Sequence, residues 1–289
     1  MSYIYLFLAM TFSAMITVGS RFFNQKNKNV ANVSGLYSIL TSGFAALSWL
    51  ILWIADFSFD PGVLLYSAGY GVCYMLFTAG MFGAIKTGST SLTALIKQMA
   101  LVGVSFWGVL FWGTQFTLFS GIGIVLLVIS LMLCLLVKEE KSDSHKMSKW
   151  LLFCGMISAG NAGASILQRY QQMAFHYQHK NMFMFFGLTF ATLFCTLVAL
   201  REDKRNWKDT FQTSWLFPAI AGGSSALSNV FILLLVKREM SPAILYPGIA
   251  VGGLMLTTLI ATLFFREKLR PSQWVGLVVG AIALVFLNL

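Results

Sequence analysis

The chain is a succession of strongly apolar runs, each about 20 residues long and separated by charged residues, prolines or Asn/Lys clusters. A helix needs about 20 residues to cross the bilayer hydrocarbon, whereas a barrel strand needs about 10 residues of alternating polarity. Charged residues make up only 10% of the sequence, against about 25% in soluble domains. Because lipid cannot hydrogen-bond backbone groups, we expect these runs to be membrane-spanning α-helices.

Ten such runs predict an all-α polytopic membrane protein. The longest polar connection, 138–149, lies in the middle of the chain and is predicted to be a flexible cytoplasmic linker. It separates a first set of five helices (1–137) from a second set of five (150–289). The predicted spans are 2–20, 31–55, 62–85, 90–112, 116–137, 150–172, 181–200, 214–236, 242–265 and 272–289.

The two halves resemble each other in order. Spans 1 and 6 both end in a polar stretch with an arginine, Arg21 and Arg169. Spans 4 and 9 share three residue pairs at one constant offset: Ser91 and Ser241, Leu95 and Leu245, and Gly103 and Gly253. A tandem copy with an odd number of spans inserts in the opposite orientation, so we expect a 5+5 inverted repeat.

Basic residues are distributed unevenly between the loops. Fifteen of the 20 lie in the loops after spans 1, 3, 5, 7 and 9, which the positive-inside rule places in the cytoplasm. Both termini are then expected outside. The net charge of +10 is therefore interpreted as topological, with the lipid bilayer and not nucleic acid as the partner. Without long tails or a transit peptide, the expected location is a prokaryotic cytoplasmic membrane.

The C-terminal region carries a motif. It reads Lys237-Arg-Glu-Met-Ser-Pro-Ala-Ile-Leu-Tyr-Pro247, an apolar run, then Arg266-Glu-Lys-Leu-Arg-Pro-Ser-Gln-Trp-Val-Gly276, and residues 88–121 hold a degenerate copy. This pattern resembles the EamA-type transporters of the drug/metabolite transporter superfamily. The resemblance implies a ten-helix secondary transporter that works by alternating access. Spans 1, 3, 4, 6, 8 and 9 would line its central cavity, and the substrate stays open because members carry many metabolites.

Lys97 is the one basic residue predicted inside a span. A charge there costs roughly 2.5–3.5 kcal/mol on insertion scales, so the ammonium either snorkels to the interface or binds an anionic substrate. Ser91, Thr93 and Lys97 also resemble the span-4 pattern of plastidic phosphate translocators. That branch has basic residues in span 9 where this chain has Tyr246 and Pro247. We therefore expect a carboxylate-bearing metabolite, such as an amino acid or organic acid, rather than a phosphate.

The acidic residues narrow the function further. All ten lie in predicted loops or at span ends, which disfavours proton-coupled export of cations, although an organic-cation or nucleoside-type exporter remains the alternative. A membrane enzyme is disfavoured because no histidine or acid lies in mid-span, and a channel or scaffold is a remote possibility. We expect no cofactor or metal, and a monomer or homodimer.

The candidate substrate-binding residues are polar or aromatic residues within spans. Asparagines there equally suit hydrogen bonds between helices, and tyrosines equally suit packing. Pro247 with Gly248 is predicted to kink or break span 9, and Gly276 with Gly280 to allow close helix packing. The predicted binding residues are Lys97, Gln98, Tyr74, Tyr70, Thr17, Ser13, Asn161, Asn229 and Tyr246.

Overall fold

The computed structural model describes residues 2–30, 33–112, 117–135, 144–176, 178–238, 242–266 and 269–286. Throughout these residues the chain is helical, with no strand, which confirms the predicted all-α class. The helices are α1 (Ser2–Lys26), α2 (Ser34–Ala55), α3 (Val63–Thr87), α4 (Thr90–Phe111), α5 (Leu118–Leu135), α6 (Ser144–Ala174), α7 (Lys180–Ala199), α8 (Trp207–Ser214), α9 (Leu216–Lys237), α10 (Pro242–Phe264) and α11 (Pro271–Phe286).

Five of these helices are long and apolar enough within the described residues to cross a membrane. They are α1, α2, α3, α7 and the Met147–Ala174 part of α6. A sixth candidate is the pair α8 and α9, which are joined at an angle of 63°. The chain is therefore a helical protein with several apolar helices of membrane-spanning length.

Helix bounds differ from the predicted ones at polar ends. Helix α1 continues past residue 20 to Lys26, and α6 begins at Ser144, inside the segment predicted to be a flexible linker. The short helix α8 was not predicted at all. Hydropathy marks only the apolar part of a helix, whereas a polar turn continues the backbone hydrogen bonds without an apolar signal. Helix α10 runs through Pro247 without a break, whereas a kink at this proline, the other predicted outcome, stays a prediction.

Helices from the two halves of the chain pack against one another more than against their own neighbours. The extended contacts are α3 with α6, α1 with α9, α2 with α7 and α5 with α11. Further pairs are α3 with α7, α2 with α9, α1 with α10, α4 with α6 and α4 with α10. The main core cluster joins α2, α3, α4, α6 and α7, with Tyr70, Met81, Ile157 and Leu188 among its buried residues.

Glycines permit the closest of these approaches. A Cβ on Gly160 of α6 would lie 2.6 Å from the carbonyl oxygen of Cys73 on α3. On α11, a Cβ on Gly280 would lie 2.7 Å from Oγ of Ser130 on α5. Ser130 also donates a 2.6 Å hydrogen bond to the carbonyl of Gly276. The predicted packing role is therefore confirmed for Gly280 at the contact between α5 and α11, and for Gly276 it stays a prediction.

The bundle has two chemically different ends, here called the basic end and the aromatic end. At the basic end, Lys26 donates to the carbonyl of Thr213 and Ser34 donates to Glu202. At the aromatic end, Tyr66 contacts Phe175 and Trp53 stacks on Phe185. The described basic residues at the basic end are Arg21, Lys26, Lys28, Lys86, Lys149, Arg201, Lys204, Arg205, Lys208, Arg266 and Arg270, while those at the aromatic end are Arg169, Lys180 and Arg238.

Candidate functional site

Lys97 lies inside the bundle and not at its surface. Its side chain is only 8% exposed. The ammonium nitrogen lies 3.4 Å from the backbone carbonyl oxygen of Ser13, a residue near the middle of α1. An ammonium carries three donors, and this long contact is the one hydrogen bond found for it among the described residues. Among the described residues, Lys97 therefore brings a buried cationic group with a single hydrogen-bond partner to the middle of α1.

The described acids do not neutralise Lys97. In the described part of the chain, Asp56, Asp60, Glu202 and Asp203 lie in connections between helices, and Asp209 lies in the short helix α8. Glu202 is engaged elsewhere, since its carboxylate accepts hydrogen bonds from Ser34 Oγ (2.8 Å) and from the amide of Gly35 (3.1 Å). A buried cation without a carboxylate partner retains its attraction for an anion.

Asn161 connects α6 to the backbone at Lys97. Its amide nitrogen donates a 3.0 Å hydrogen bond to the carbonyl oxygen of Lys97. The backbone carbonyl of Asn161 accepts a 2.9 Å hydrogen bond from Ser165 Oγ, one turn further along α6. This arrangement matches the predicted alternative, a hydrogen bond between helices, and it makes Asn161 a residue that positions α4 against α6.

Ser13 and Thr17 lie one helical turn apart on the buried face of α1, with 8% and 1% of their side chains exposed. One turn before Ser13, the carbonyl of Ala9 accepts a 3.2 Å hydrogen bond from Ser228 on α9. Two successive turns of α1 thus receive donors from two other helices, Ser228 from α9 and Lys97 from α4. This polar line through α1 is the centre of the candidate site.

Tyr70 and Tyr74 form an aromatic wall on α3. Their rings stack at 5.9 Å between centroids, and each side chain is only 6% exposed. The phenol of Tyr74 lies close to the side chain of Ser225 on α9. Asn229 lies one turn further along α9 and donates its 2.8 Å hydrogen bond back to the carbonyl of Ser225. Asn229 is therefore bonded within its own helix, unlike Asn161.

Two of the predicted residues fall outside the description. The side chains of Gln98 in α4 and Tyr246 in α10 are not among the described ones. Of the other predicted residues, Lys97, Ser13 and Asn161 are linked directly by hydrogen bonds. Tyr70 and Tyr74 are in contact with each other.

Sequence reasoning missed Tyr37. This tyrosine of α2 is 1% exposed, and its hydroxyl makes a short hydrogen bond with Ser20 on α1. Nearby on α2, Ser42 accepts a 3.0 Å hydrogen bond from Thr192 on α7. A signal was present, since Ser34, Tyr37, Ser38, Thr41 and Ser42 place polar groups one turn apart within an apolar run. A buried hydroxyl-rich layer thus joins α1 and α2 to α7.

The described grooves lie elsewhere. One, of about 280 Å³, is lined by α10 and α11 with Leu254, Trp274 and Leu277. Another, of about 520 Å³, lies between α2 and α7 beside Leu47 and Phe185. Neither groove is lined by any predicted site residue. Among the described residues, no cluster of His, Cys, Asp and Glu is suited to hold a metal ion.

Comparisons with known proteins identify a shared fold alone. No family model and no curated protein matches the chain. Solved structures do match, and one of them, described as "Crystal structure of protein", superposes with a TM-score of 0.64 at 11% sequence identity. The match covers 98% of this chain and 95% of that chain. The helical arrangement therefore recurs along the full length of another protein.

Proposed function

We propose that this chain is a secondary transporter of the EamA type, within the drug/metabolite transporter superfamily, that moves a small carboxylate-bearing metabolite. Its ten spans would be α1–α7 and α9–α11, arranged as two inverted halves. The observation that carries the proposal is the buried ammonium of Lys97, which has a backbone carbonyl but no described carboxylate as its partner.

The count of ten rests on four helices beyond the six candidates. Helices α4, α5, α10 and α11 contain 22, 18, 23 and 16 residues, close to the roughly 20 residues that a span requires. Lys97 is the only charged residue in these four helices. They also pack with one another, α5 along α11 and α4 along α10.

The packing pairs support two related halves. If α6, α7, α9, α10 and α11 correspond to α1 to α5, exchanging the halves converts the pair α3–α6 into α9–α1. The same exchange converts the pair α3–α7 into α9–α2 and the pair α4–α6 into α10–α1. All four of these helix pairs are in contact. The pairs α2–α7, α4–α10 and α5–α11 convert into themselves. Such pairing is expected of a pseudo-two-fold arrangement, the architecture that transporters use for alternating access.

The candidate site would therefore lie near the pseudo-two-fold axis. Lys97 would attract the carboxylate of the substrate, while Tyr70 and Tyr74 would offer an aromatic wall with hydroxyl tips. The excess of basic residues at one end of the bundle supports a cytoplasmic position for that end. In that orientation both termini lie outside.

The proposal is tested by thermal stabilisation of the purified protein. Wild type, Lys97→Ala and the control Lys149→Ala, whose lysine is exposed, are heated with amino acids, organic acids, phosphorylated metabolites and organic cations. A ligand at 100 times its Kd stabilises by about 2.7 kcal/mol. We expect stabilisation by a carboxylate compound in wild type and in Lys149→Ala, and none in Lys97→Ala.

Transport by the identified compound is then measured as counterflow in proteoliposomes. Stabilisation by organic cations that Lys97→Ala retains would favour the cation-exporter alternative. A stabilising carboxylate that shows no counterflow would identify a binding protein rather than a transporter.

A further inference from the structure

Two arginines occupy corresponding positions at opposite ends of the bundle. Arg21 lies near the end of α1 at the basic end, and Arg169 lies near the end of α6 at the aromatic end. Helices α1 and α6 open the two halves, and both arginines fall in the polar stretch in which the first spans of the halves agree. Each arginine also contacts an aromatic residue from the other half of the chain.

At the basic end, Arg21 contacts the end of α10. Its guanidinium carbon lies 5.7 Å from the ring centre of Phe265, the residue directly after α10. Its Nη1 donates a 3.1 Å hydrogen bond to the carbonyl of Ile85, in the last turn of α3. The adjacent Phe22 packs edge-on against Phe265 at 4.7 Å. The end of α10 is thus held against α1.

At the aromatic end, Arg169 makes the corresponding contact with α4. Its guanidinium carbon lies 4.7 Å from the ring of Trp112, the residue that caps the end of α4. The adjacent Tyr170 packs edge-on against Trp112 at 5.7 Å and accepts a 3.1 Å hydrogen bond from Nε1 of Trp107. Exchanging the halves converts α1 with α10 into α6 with α4, so the two contacts are counterparts.

From this correspondence we infer that the Arg21–Phe265 and Arg169–Trp112 contacts are the two gates of the protein, one at each end. Each cation–π contact joins the first helix of one half to the fourth helix of the other. Both contacts are formed here, so the structure corresponds to a state closed at both ends. Alternating access, the proposed function on which this inference rests, requires that one contact open while the other stays closed.

The chemistry suits reversible gates. A cation–π contact is attractive but needs no proton transfer or ion pair to break. Phe265 and Trp112 lie at helix ends, where few backbone hydrogen bonds resist movement. The buried Nε atoms of Arg21 and Trp112 lack hydrogen-bond partners in the described structure, so neither is anchored through that atom.

The test measures access to the site from each side separately. Ser13→Cys, a one-atom change in mid-α1, is introduced into a variant whose four native cysteines are replaced by alanine. A membrane-impermeant maleimide is applied to right-side-out and inverted vesicles. Arg21→Ala should speed labelling only from the basic end, and Arg169→Ala only from the aromatic end. Loss of one cation–π contact should increase the rate between about twofold and thirtyfold.

Two other cation–π contacts serve as controls, because they join neither α1 to α10 nor α6 to α4. Lys204 lies over Trp207 at 5.6 Å within the basic end, and Arg238 lies over Tyr5 at 4.8 Å within the aromatic end. Lys204→Ala and Arg238→Ala should leave both labelling rates unchanged. Arg169→Lys, which keeps a cation above the ring of Trp112, should label from the aromatic end as slowly as wild type and more slowly than Arg169→Ala.

If neither arginine variant changes labelling, or both increase it from the same end, the gates are not these contacts. Hydrogen exchange at the ends of α4 and α10 provides a second measurement if Ser13→Cys fails to fold, since each arginine variant should accelerate exchange at only one of them. If each arginine variant speeds labelling from its own end but no transported compound is found, the gates are supported and the proposed transport is contradicted.

Discussion

The ammonium of Lys97 lies 3.4 Å from the backbone carbonyl oxygen of Ser13, so a charged group on α4 reaches the middle of α1. The carbonyl dipole offers part of what water would offer, but it carries no net charge. With the side chain 8% exposed, the cation is held at a cost that its described contacts do not repay. Such a cost is typical of a residue retained for function.

Lys97→Met should stabilise the protein while abolishing binding of the carboxylate ligand. Methionine keeps the length and apolar stem of lysine but removes the buried charge, which costs roughly 2.5–3.5 kcal/mol on insertion scales. Thermal melting without ligand should therefore show a higher midpoint for the variant than for wild type. A lower midpoint would mean that the contact with Ser13 stabilises the fold and would contradict the inference that the buried charge of Lys97 is destabilising.

Asn161→Leu should weaken the contact between α4 and α6. The side chain donates to the carbonyl of Lys97 at 3.0 Å, and a hydrogen bond between membrane helices is worth about 0.6–2 kcal/mol. Asn229→Leu is the matched control, because Asn229 donates to the carbonyl of Ser225 within α9. Unfolding in a denaturing detergent should show a loss for Asn161→Leu that clearly exceeds the loss for Asn229→Leu.

Gly160→Ala should destabilise the protein, whereas Gly155→Ala on the same helix should not. A Cβ at Gly160 would lie 2.6 Å from backbone atoms of both Cys73 and Phe77, and backbone cannot give way as a side chain can. Overpacking of this kind costs typically 1–3 kcal/mol. No atom lies within 4 Å of a Cβ at Gly155, so there alanine should gain up to about 1 kcal/mol through helix propensity. Equal effects in the unfolding assay would contradict the close approach of α3 and α6.

Tyr37→Phe should destabilise the contact between α1 and α2. The change removes the hydroxyl that bonds Ser20, while Ser20 keeps its hydrogen bond to the carbonyl of Ile16, so the cost should be that of one hydrogen bond, about 0.5–1.5 kcal/mol. Adding Ser20→Ala to Tyr37→Phe should recover part of this loss, because both polar groups are then absent. Tyr3→Phe, at a tyrosine that is 73% exposed, serves as the control. Independent effects of the two changes in a double-mutant cycle would show that the hydroxyls do not interact.

Hydropathy located the long helices well, and each predicted span overlaps one of them, although the span 214–236 also includes the last residue of α8. The predicted helix bounds were wrong where the helix is polar, because hydropathy detects only residues suited to lipid. Five of the first six residues of α6 are polar, and α8 lies in a charged connection with Trp207 as its first residue. Both helices continue or form through backbone hydrogen bonds that an apolar count does not register.

The sequence predicted which residues of the candidate site are unusual, but it did not predict their hydrogen-bond partners. Lys97 stands out in any sequence because a charge in an apolar run is costly, and Asn161 stands out for the same reason in milder form. That Asn161 reaches the backbone of Lys97 while Asn229 reaches its own helix depends on how α4, α6 and α9 are rotated. Rotation follows from the packing of the whole bundle, which no local pattern encodes.

Local composition was therefore enough for the helical class, because each apolar run must satisfy its own backbone hydrogen bonds whatever its neighbours are. The partner of each helix was decided only in three dimensions. The contacts of Arg21 with Phe265 and of Arg169 with Trp112 join residues far apart in the chain. They arise because side-chain shape, summed over every packed helix, selects one arrangement among many that hydropathy alone allows.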